Sequence, residues 1–187
     1  RFSTPCACAC WPGATPEPPD STTVRLFVAA RPTTPAVVAI DRLPRPEAPG
    51  VRWLPAEQWH VTLRFLGEAD PEVVSAALAG LSAVPVEAVL GPSTLLLGDT
   101  VLVAPVAGWD GRAAAVAAVT TGVGEPPEDR PFFGHITLCR FREEPPPGAV
   151  GAAVSTTFPV DEVALVRSRT LPGGAVHDVL ERFVLAG

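Results

Sequence analysis

The chain has 187 residues, 47% of them apolar, and a formal net charge of −6 at pH 7. That length and apolar share support one folded unit, or two small lobes sharing a core, and exclude a mainly disordered chain. The acidic balance argues against an extended grip on nucleic acid, which shows as a basic surface, but leaves room for a short RNA end or a nucleotide at a local basic site.

All 14 basic residues are Arg, so any basic side chain that meets a phosphate offers a planar fork able to bind two oxygens. No apolar run reaches the roughly 18 residues a membrane helix needs. The chain starts at Arg1 with no charged segment leading into an apolar stretch, so no signal peptide is expected. Of four Cys, Cys6, Cys8 and Cys10 alternate near the start and Cys139 stands alone. This is not C-x-x-C, and no second pair completes a zinc site. Reduced thiols, a cytoplasmic location, no membrane partner and a monomer are the expectations.

In chain order, residues 1–22 read as a disordered tail, because Pro5, Pro12, Pro16, Pro18 and Pro19 interrupt any helix. The catalytic unit is expected over 23–187. Val24–Ala29 predicts a strand, and Pro35 opens a helix over Ala36–Arg42. A Pro-rich loop covers 44–50, and Val51–Trp53 predicts a short strand. Trp59–Leu66 is β-branched and aromatic and ends at Gly67, which predicts a strand. Asp70 caps a helix from Pro71 to Leu81. Val86–Leu90 predicts a strand, and Leu95–Leu97 with Thr100–Val106 a hairpin across Gly98-Asp99. Asp110 caps an Ala-rich helix to Thr121. After a Gly/Pro loop over 122–131, Gly134–Phe141 predicts a strand and Ala149–Ser155 a short helix. Val160–Arg167 and Asp178–Val184 predict closing strands. Helices do not recur after every strand, which points to α+β and not to a doubly wound fold.

One element repeats. His60-Val61-Thr62-Leu63-Arg64-Phe65 and His135-Ile136-Thr137-Leu138-Cys139-Arg140 share His, a β-branched residue, Thr and Leu in order. On a strand, residues i and i+2 face the same side. His60 and Thr62 therefore share a face, as do His135 and Thr137, with apolar residues opposite. Two of the three His residues occupy the repeat. Two imidazoles facing one cleft suit acid–base chemistry near neutral pH, and the two hydroxyls suit non-bridging phosphate oxygens. Two His give too few ligands for a catalytic metal, so none is expected. Neither Gly-x-Ser-x-Gly nor a Walker loop is present. On ideal strands Arg64, four residues after its His, joins the catalytic face, whereas Arg140, five after its own, does not; both are candidate phosphate ligands. Trp53 and Trp59 read as core. Phe132 and Phe133, in a loop, are candidates to stack on a base.

At these residues the chain resembles the 2H phosphoesterase superfamily, and within it the RNA 2′,3′-cyclic phosphodiesterases, also called 2′-5′ RNA ligase-like proteins. The likeness spans most of 24–185, including Arg25–Ala29, Trp59–Glu68, Arg130-Pro131-Phe132, the second motif, Val163–Arg169 and Val179–Phe183. It implies a bilobal α+β fold, with two pseudo-symmetric lobes of antiparallel sheet around a central cleft and helices outside. It implies metal-free hydrolysis of a terminal 2′,3′-cyclic phosphate on an RNA end or nucleotide to a 2′-phosphate, with no cofactor. His135 would activate water, His60 would protonate the leaving 3′ oxygen, and Thr62 and Thr137 would orient the phosphate. Pseudo-symmetry leaves the two His roles interchangeable. The reverse reaction would join RNA ends through a 2′-5′ bond.

The sequence departs from that family where relatives often carry Arg at the position of Phe133 and Arg-Tyr at Val176-His177. His177 reads as a surface strand residue. Two other functions remain open at this point: a phosphodiesterase for another cyclic phosphate, such as ADP-ribose 1″,2″-cyclic phosphate, or for an oligonucleotide 2′-5′ bond; and a non-catalytic RNA- or nucleotide-binding module.

Overall fold

A computed structural model describes residues 23–82, 85–127, 129–171 and 174–185. The tail expected over 1–22, with Cys6, Cys8 and Cys10, lies outside them. Among the described residues, ten strands and three helices follow one another in the order β1 (Val24–Ala30), α1 (Thr34–Asp41), β2 (Arg52–Trp53), β3 (Val61–Ala69), α2 (Pro71–Leu78), β4 (Val86–Leu90), β5 (Leu95–Leu97), β6 (Val101–Ala107), α3 (Asp110–Val119), β7 (His135–Arg140), β8 (Thr156–Val160), β9 (Glu162–Leu171) and β10 (Gly174–Val184).

The strands are antiparallel throughout and hydrogen-bonded in the order β10-β9-β1-β3-β7-β6-β4-β8. Two four-stranded halves thus meet where β3 lies beside β7, the two strands that carry or follow the His-x-Thr motifs. The junction is a single pair, Val61 opposite Ile136. Both side chains are buried, and one core cluster runs through both halves, from Leu26 and Leu165 to Leu102 and Phe158. This is an α+β fold built on a curled antiparallel sheet. Among the described residues no helix is long and apolar enough to cross a membrane.

Local chemistry explains most elements. Asp70 Oδ1 accepts from Glu72 N–H at 2.9 Å, Pro71 occupies the first turn, and Val74 and Leu78 bury one face of α2. In α1, Ala36 and Ile40 do the same at i, i+4. The hairpin β5–β6 turns at Gly98, whose φ of 62° suits glycine.

Three local readings fail for identifiable reasons. Trp109, not Asp110, is the residue before α3; its fully buried indole anchors the helix start, and Asp110 lies inside the first turn. No helix forms over 149–155. There buried Thr94 claims the backbone: its N–H donates to Ala152 O at 3.0 Å, its carbonyl accepts from Gly151 N–H at 3.0 Å, and its hydroxyl accepts from Ala152 N–H at 3.0 Å. Gly148 and Gly151 take φ of 70° and 76°, which ends helical geometry. The chain then enters β8, a strand the sequence did not suggest because Pro159 lies inside it; β8 pairs through β4 alone, so its other edge needs no proline N–H.

Ile136→Ala is expected to lower the unfolding free energy by about 3 kcal/mol in urea denaturation, the usual scale for a buried Ile→Ala cavity. Because one core spans both halves, far-UV circular dichroism and tryptophan fluorescence should report one coincident transition.

Candidate active site

The junction pair decides what faces what. Extending the register of Val61 and Ile136 by one residue either way sets His60 towards Thr137 and Thr62 towards His135. Antiparallel partners project to the same side. With Val61 and Ile136 in the core, all four polar residues lie on the opposite, open face, and the charge of His135 acts on His60. The sequence paired each His with its own Thr; the sheet sets each His opposite the Thr of the other motif.

Both imidazoles are anchored alike. His60 Nδ1–H donates to Gln58 O at 2.7 Å, and His135 Nδ1–H donates to Phe133 O at 2.8 Å. In each case the carbonyl two residues back holds the ring and leaves Nε2 as the free nitrogen. Gln58 belongs to a 3₁₀ turn, Ala56–Gln58, which Arg31 grips by donating to Glu57 O at 3.0 Å. Before His135, Gly134 runs so close to β6 that a Cβ there would lie 2.3 Å from Val106 O, so only glycine permits this approach. Neither the Thr62 nor the Thr137 hydroxyl is committed to a hydrogen bond among the described residues.

A β-bulge follows each motif. On β3, Ala29 pairs with Thr62 and Val28 with Arg64, so Leu63 is the extra residue; on β7, Val103 pairs with Thr137 and Leu102 with Cys139, so Leu138 is. An extra residue inverts the in–out alternation beyond it. Both Arg expectations therefore reverse. Arg64 turns away from the open face and is 5% exposed. Its guanidinium donates to Ala117 O at 3.0 Å, Thr120 Oγ1, Val123 O at 3.3 Å and Glu125 O at 3.0 Å. It thus satisfies carbonyls at and beyond the C-terminus of α3, where a cation also suits the helix dipole. Arg64 is a structural brace and not a phosphate ligand. Arg140 falls on the same side as His135 and Thr137 and is exposed. Cys139 occupies the position equivalent to Arg64. It is buried, and burial pushes its thiol up to about 11, which leaves it unreactive at neutral pH.

The aromatic expectations divide. Trp59 is buried, with its indole N–H donating to Leu54 O at 3.1 Å. Phe132 packs against the core. Phe133 is 44% exposed and stacks on His135, with centroids 5.5 Å apart and planes 20° from parallel. Phe132, Phe133, Gly134, Pro105 and Asp110 border a cleft of about 210 Å³ beside His135.

Two residues near His60 escaped the sequence reading. Arg31 acts electrostatically on the His60 ring; the run Phe27, Ala29, Arg31 shares one strand parity, a signal that was available. His177 is half-buried and not a freely exposed surface residue. It lies edge-on to His60, with centroids 5.0 Å apart and planes at 86°, and both rings rest 5.1 Å from Phe27. No local pattern marks it, because the contact spans β10, β9, β1 and the start of β3.

Burial pushes the His60 imidazole down from the usual 6.5 to about 4; the bond to Gln58 O opposes the fall, and His177, His135 and Arg31 deepen it. The unfolded chain therefore takes up a proton that folded His60 refuses. This contribution is fully present above about pH 6.5 and is lost as pH falls towards about 4, at a cost of up to about 3 kcal/mol. Urea titrations from pH 7 to pH 4 should show a loss of that order in the natural chain, and a shallower one in His60→Gln.

The description "LigT like Phosphoesterase" belongs to the family model that matches residues 31–90, which include the first motif. An RNA 2′,3′-cyclic phosphodiesterase of Thermus thermophilus is 34% identical over 154 residues, covering 74% of this chain and 77% of its own. The crystal structure of TT0787 from the same organism superposes with a TM-score of 0.71 at 32% identity, over 86% of this chain and 97% of that one. Escherichia coli LigT, crystallised with 3′-AMP, shares the fold with a TM-score of 0.66 at 24% identity, over 88% and 99%. The chain belongs to the LigT-like 2H phosphoesterase family.

Proposed function

We propose that residues 23–187 form an RNA 2′,3′-cyclic phosphodiesterase that opens a terminal ribose 2′,3′-cyclic phosphate to a 2′-phosphate without a metal. The observation that carries this reading is the set His60, Thr62, His135 and Thr137 on one face around the Val61–Ile136 pair, with each Nδ1 tied back and each Nε2 free. The name of the Thermus relative and the 3′-AMP complex of E. coli LigT support an RNA end or nucleotide as the ligand.

The chemistry follows from the two environments. The His135 anchor is exposed and the His60 anchor partly buried. His135 is thus the imidazole that meets water: its Nε2 takes a proton as the water oxygen attacks phosphorus. The P–O3′ bond breaks, and His60 Nε2–H delivers a proton to O3′. An imidazolium with a low pKa is a strong donor to a ribose alkoxide. His60 is neutral in the empty cleft, so it takes up a proton from solvent as the substrate binds, because the phosphate anion favours the charged ring. Proton exchange with solvent resets both rings. The Thr62 and Thr137 hydroxyls donate to the non-bridging oxygens, and Arg140 supplies a cation. Phe133, with one face on His135, offers the other to a base. With a 5′-hydroxyl in place of water, the same step leaves a 2′-5′ bond. The protein acts as a cytoplasmic monomer in this reading.

Nucleoside 2′,3′-cyclic phosphate incubated with the protein in EDTA should give the 2′-phosphate. His60→Ala and His135→Ala should each lose roughly 10²–10⁴-fold in kcat. Loss of turnover in EDTA, a 3′-phosphate product, or wild-type rates in either variant would overturn the reading. The division of roles is read from a phosphodiester with a p-nitrophenyl leaving group, which needs no acid. His60→Ala should recover most of its lost rate on that substrate and His135→Ala should not; the opposite pattern would exchange the roles.

A further inference from the structure

His177 occupies a position in the cleft that the two-motif chemistry does not account for. It projects from β10, three strands away from the start of β3 in the sheet order, and still meets the His60 ring. The reach is possible because the intervening open face is low. Ala29 of β1 pairs with Ala164 of β9, and Phe27 with Val166; the small Ala29, Ala164 and Val166 side chains form a shallow floor from which the Phe27 ring rises between the two imidazoles' strands. Phe27, His60, His177, Ala164, Val166 and Val179 line one small pocket together with Arg31 and Glu57. The three rings are mutually 5.0–5.1 Å apart, and His177 stands edge-on to both others. His177 Nδ1 is buried and has no hydrogen-bond partner among the described residues.

We propose that His177 is a positioning residue for His60: it sets the plane of the His60 ring and, as the adjacent imidazole, couples the proton on His60 to the arrival of the phosphate anion. The inference rests on the acid role given to His60 above.

The geometry supports both parts. The bond to Gln58 O tethers one nitrogen of His60 but leaves the ring able to tilt about it; edge-to-face contact with His177 on one side and tilted contact with Phe27 at 34° restrict that tilt. Two imidazoles 5 Å apart also resist being charged together. The charged and titratable groups around the pair are few. Arg31, at the end of β1, and His135, on β7, both disfavour a proton on His60, and Glu57 borders the same pocket. Burial pushes the His177 imidazole down, and Asp178 beside it opposes the fall. Asp178 is itself held by Arg167 (3.1 Å) and Arg169 (2.8 Å), on β9. The cluster therefore carries an excess of cations without a facing carboxylate of equal weight, and an incoming phosphate supplies the missing negative charge.

The test uses the whole chain with ¹³C-labelled histidine. With only three His residues, each imidazole signal is assigned by its loss in a single variant. His177→Phe keeps a ring and removes the titration; His177→Asn keeps polarity and removes the ring, and serves as the second variant if the first folds poorly. In His177→Phe the His60 pKa is expected to rise by about half a unit or more, the scale of one charge at this distance partly screened by water. The limb of the kcat/KM profile that His60 sets should move up by the same amount. His177→Asn should in addition lower kcat several-fold more than it changes KM, because the ring is no longer held. A His60 pKa and its limb of the kcat/KM profile both unmoved in His177→Phe, or a fall confined to thermal stability, would overturn the proposal. Failure of the underlying reading shows separately, as wild-type turnover in His60→Ala.

Discussion

Where β3 meets β7, Val61 lies opposite Ile136, and this one antiparallel contact sets the geometry of everything around it. Two four-stranded halves share a core only because these two strands lie side by side. Placing the β-branched residues of both motifs in that core forces their His and Thr neighbours onto the other face. The pairing is antiparallel, so the motifs are crossed, with each His beside the opposite Thr. The junction therefore presents one imidazole and one hydroxyl from each half on the open face. The site is thus a property of the seam and not of either half alone.

The bulges at Leu63 and Leu138 are the second constraint. Each inserts one residue immediately after its motif and inverts the alternation beyond it. In the first half the result is an Arg turned inward, where it binds the carbonyls that follow α3 and holds the loop to Glu125 against β3. In the second half the same device buries Cys139 and presents Arg140 on the open side. Equivalent positions thus hold a brace in one half and an inert thiol in the other. The pseudo-symmetry of the backbone does not extend to the chemistry of the side chains.

Asymmetry continues at the two imidazoles. They have matching tethers to the carbonyl two residues back, but different surroundings. His135 lies under an exposed Phe133, next to an open cleft. His60 lies against Phe27 and His177 in a small pocket whose desolvation and positive neighbours keep it neutral. Matching motifs do not give matching surroundings: low-dielectric burial and nearby like charges push the His60 imidazole down.

Much of the fold and of the candidate site was legible in the residues. Apolar, β-branched runs gave β1, β3, β6 and β7, Asp70-Pro71 gave the start of α2, and two His-x-Thr cassettes gave the four polar residues, because strand composition, the period of two within a motif and capping are local rules. What the sequence by itself determined is therefore that two strands would each carry an imidazole and a hydroxyl on a polar face. Tertiary structure alone decided which Arg faces the cleft, since a bulge depends on the partner strand's register and leaves no mark in its own residues. It also alone decided that His177 touches His60, because that contact crosses four strands, and no spacing along one chain encodes a distance across a curled sheet.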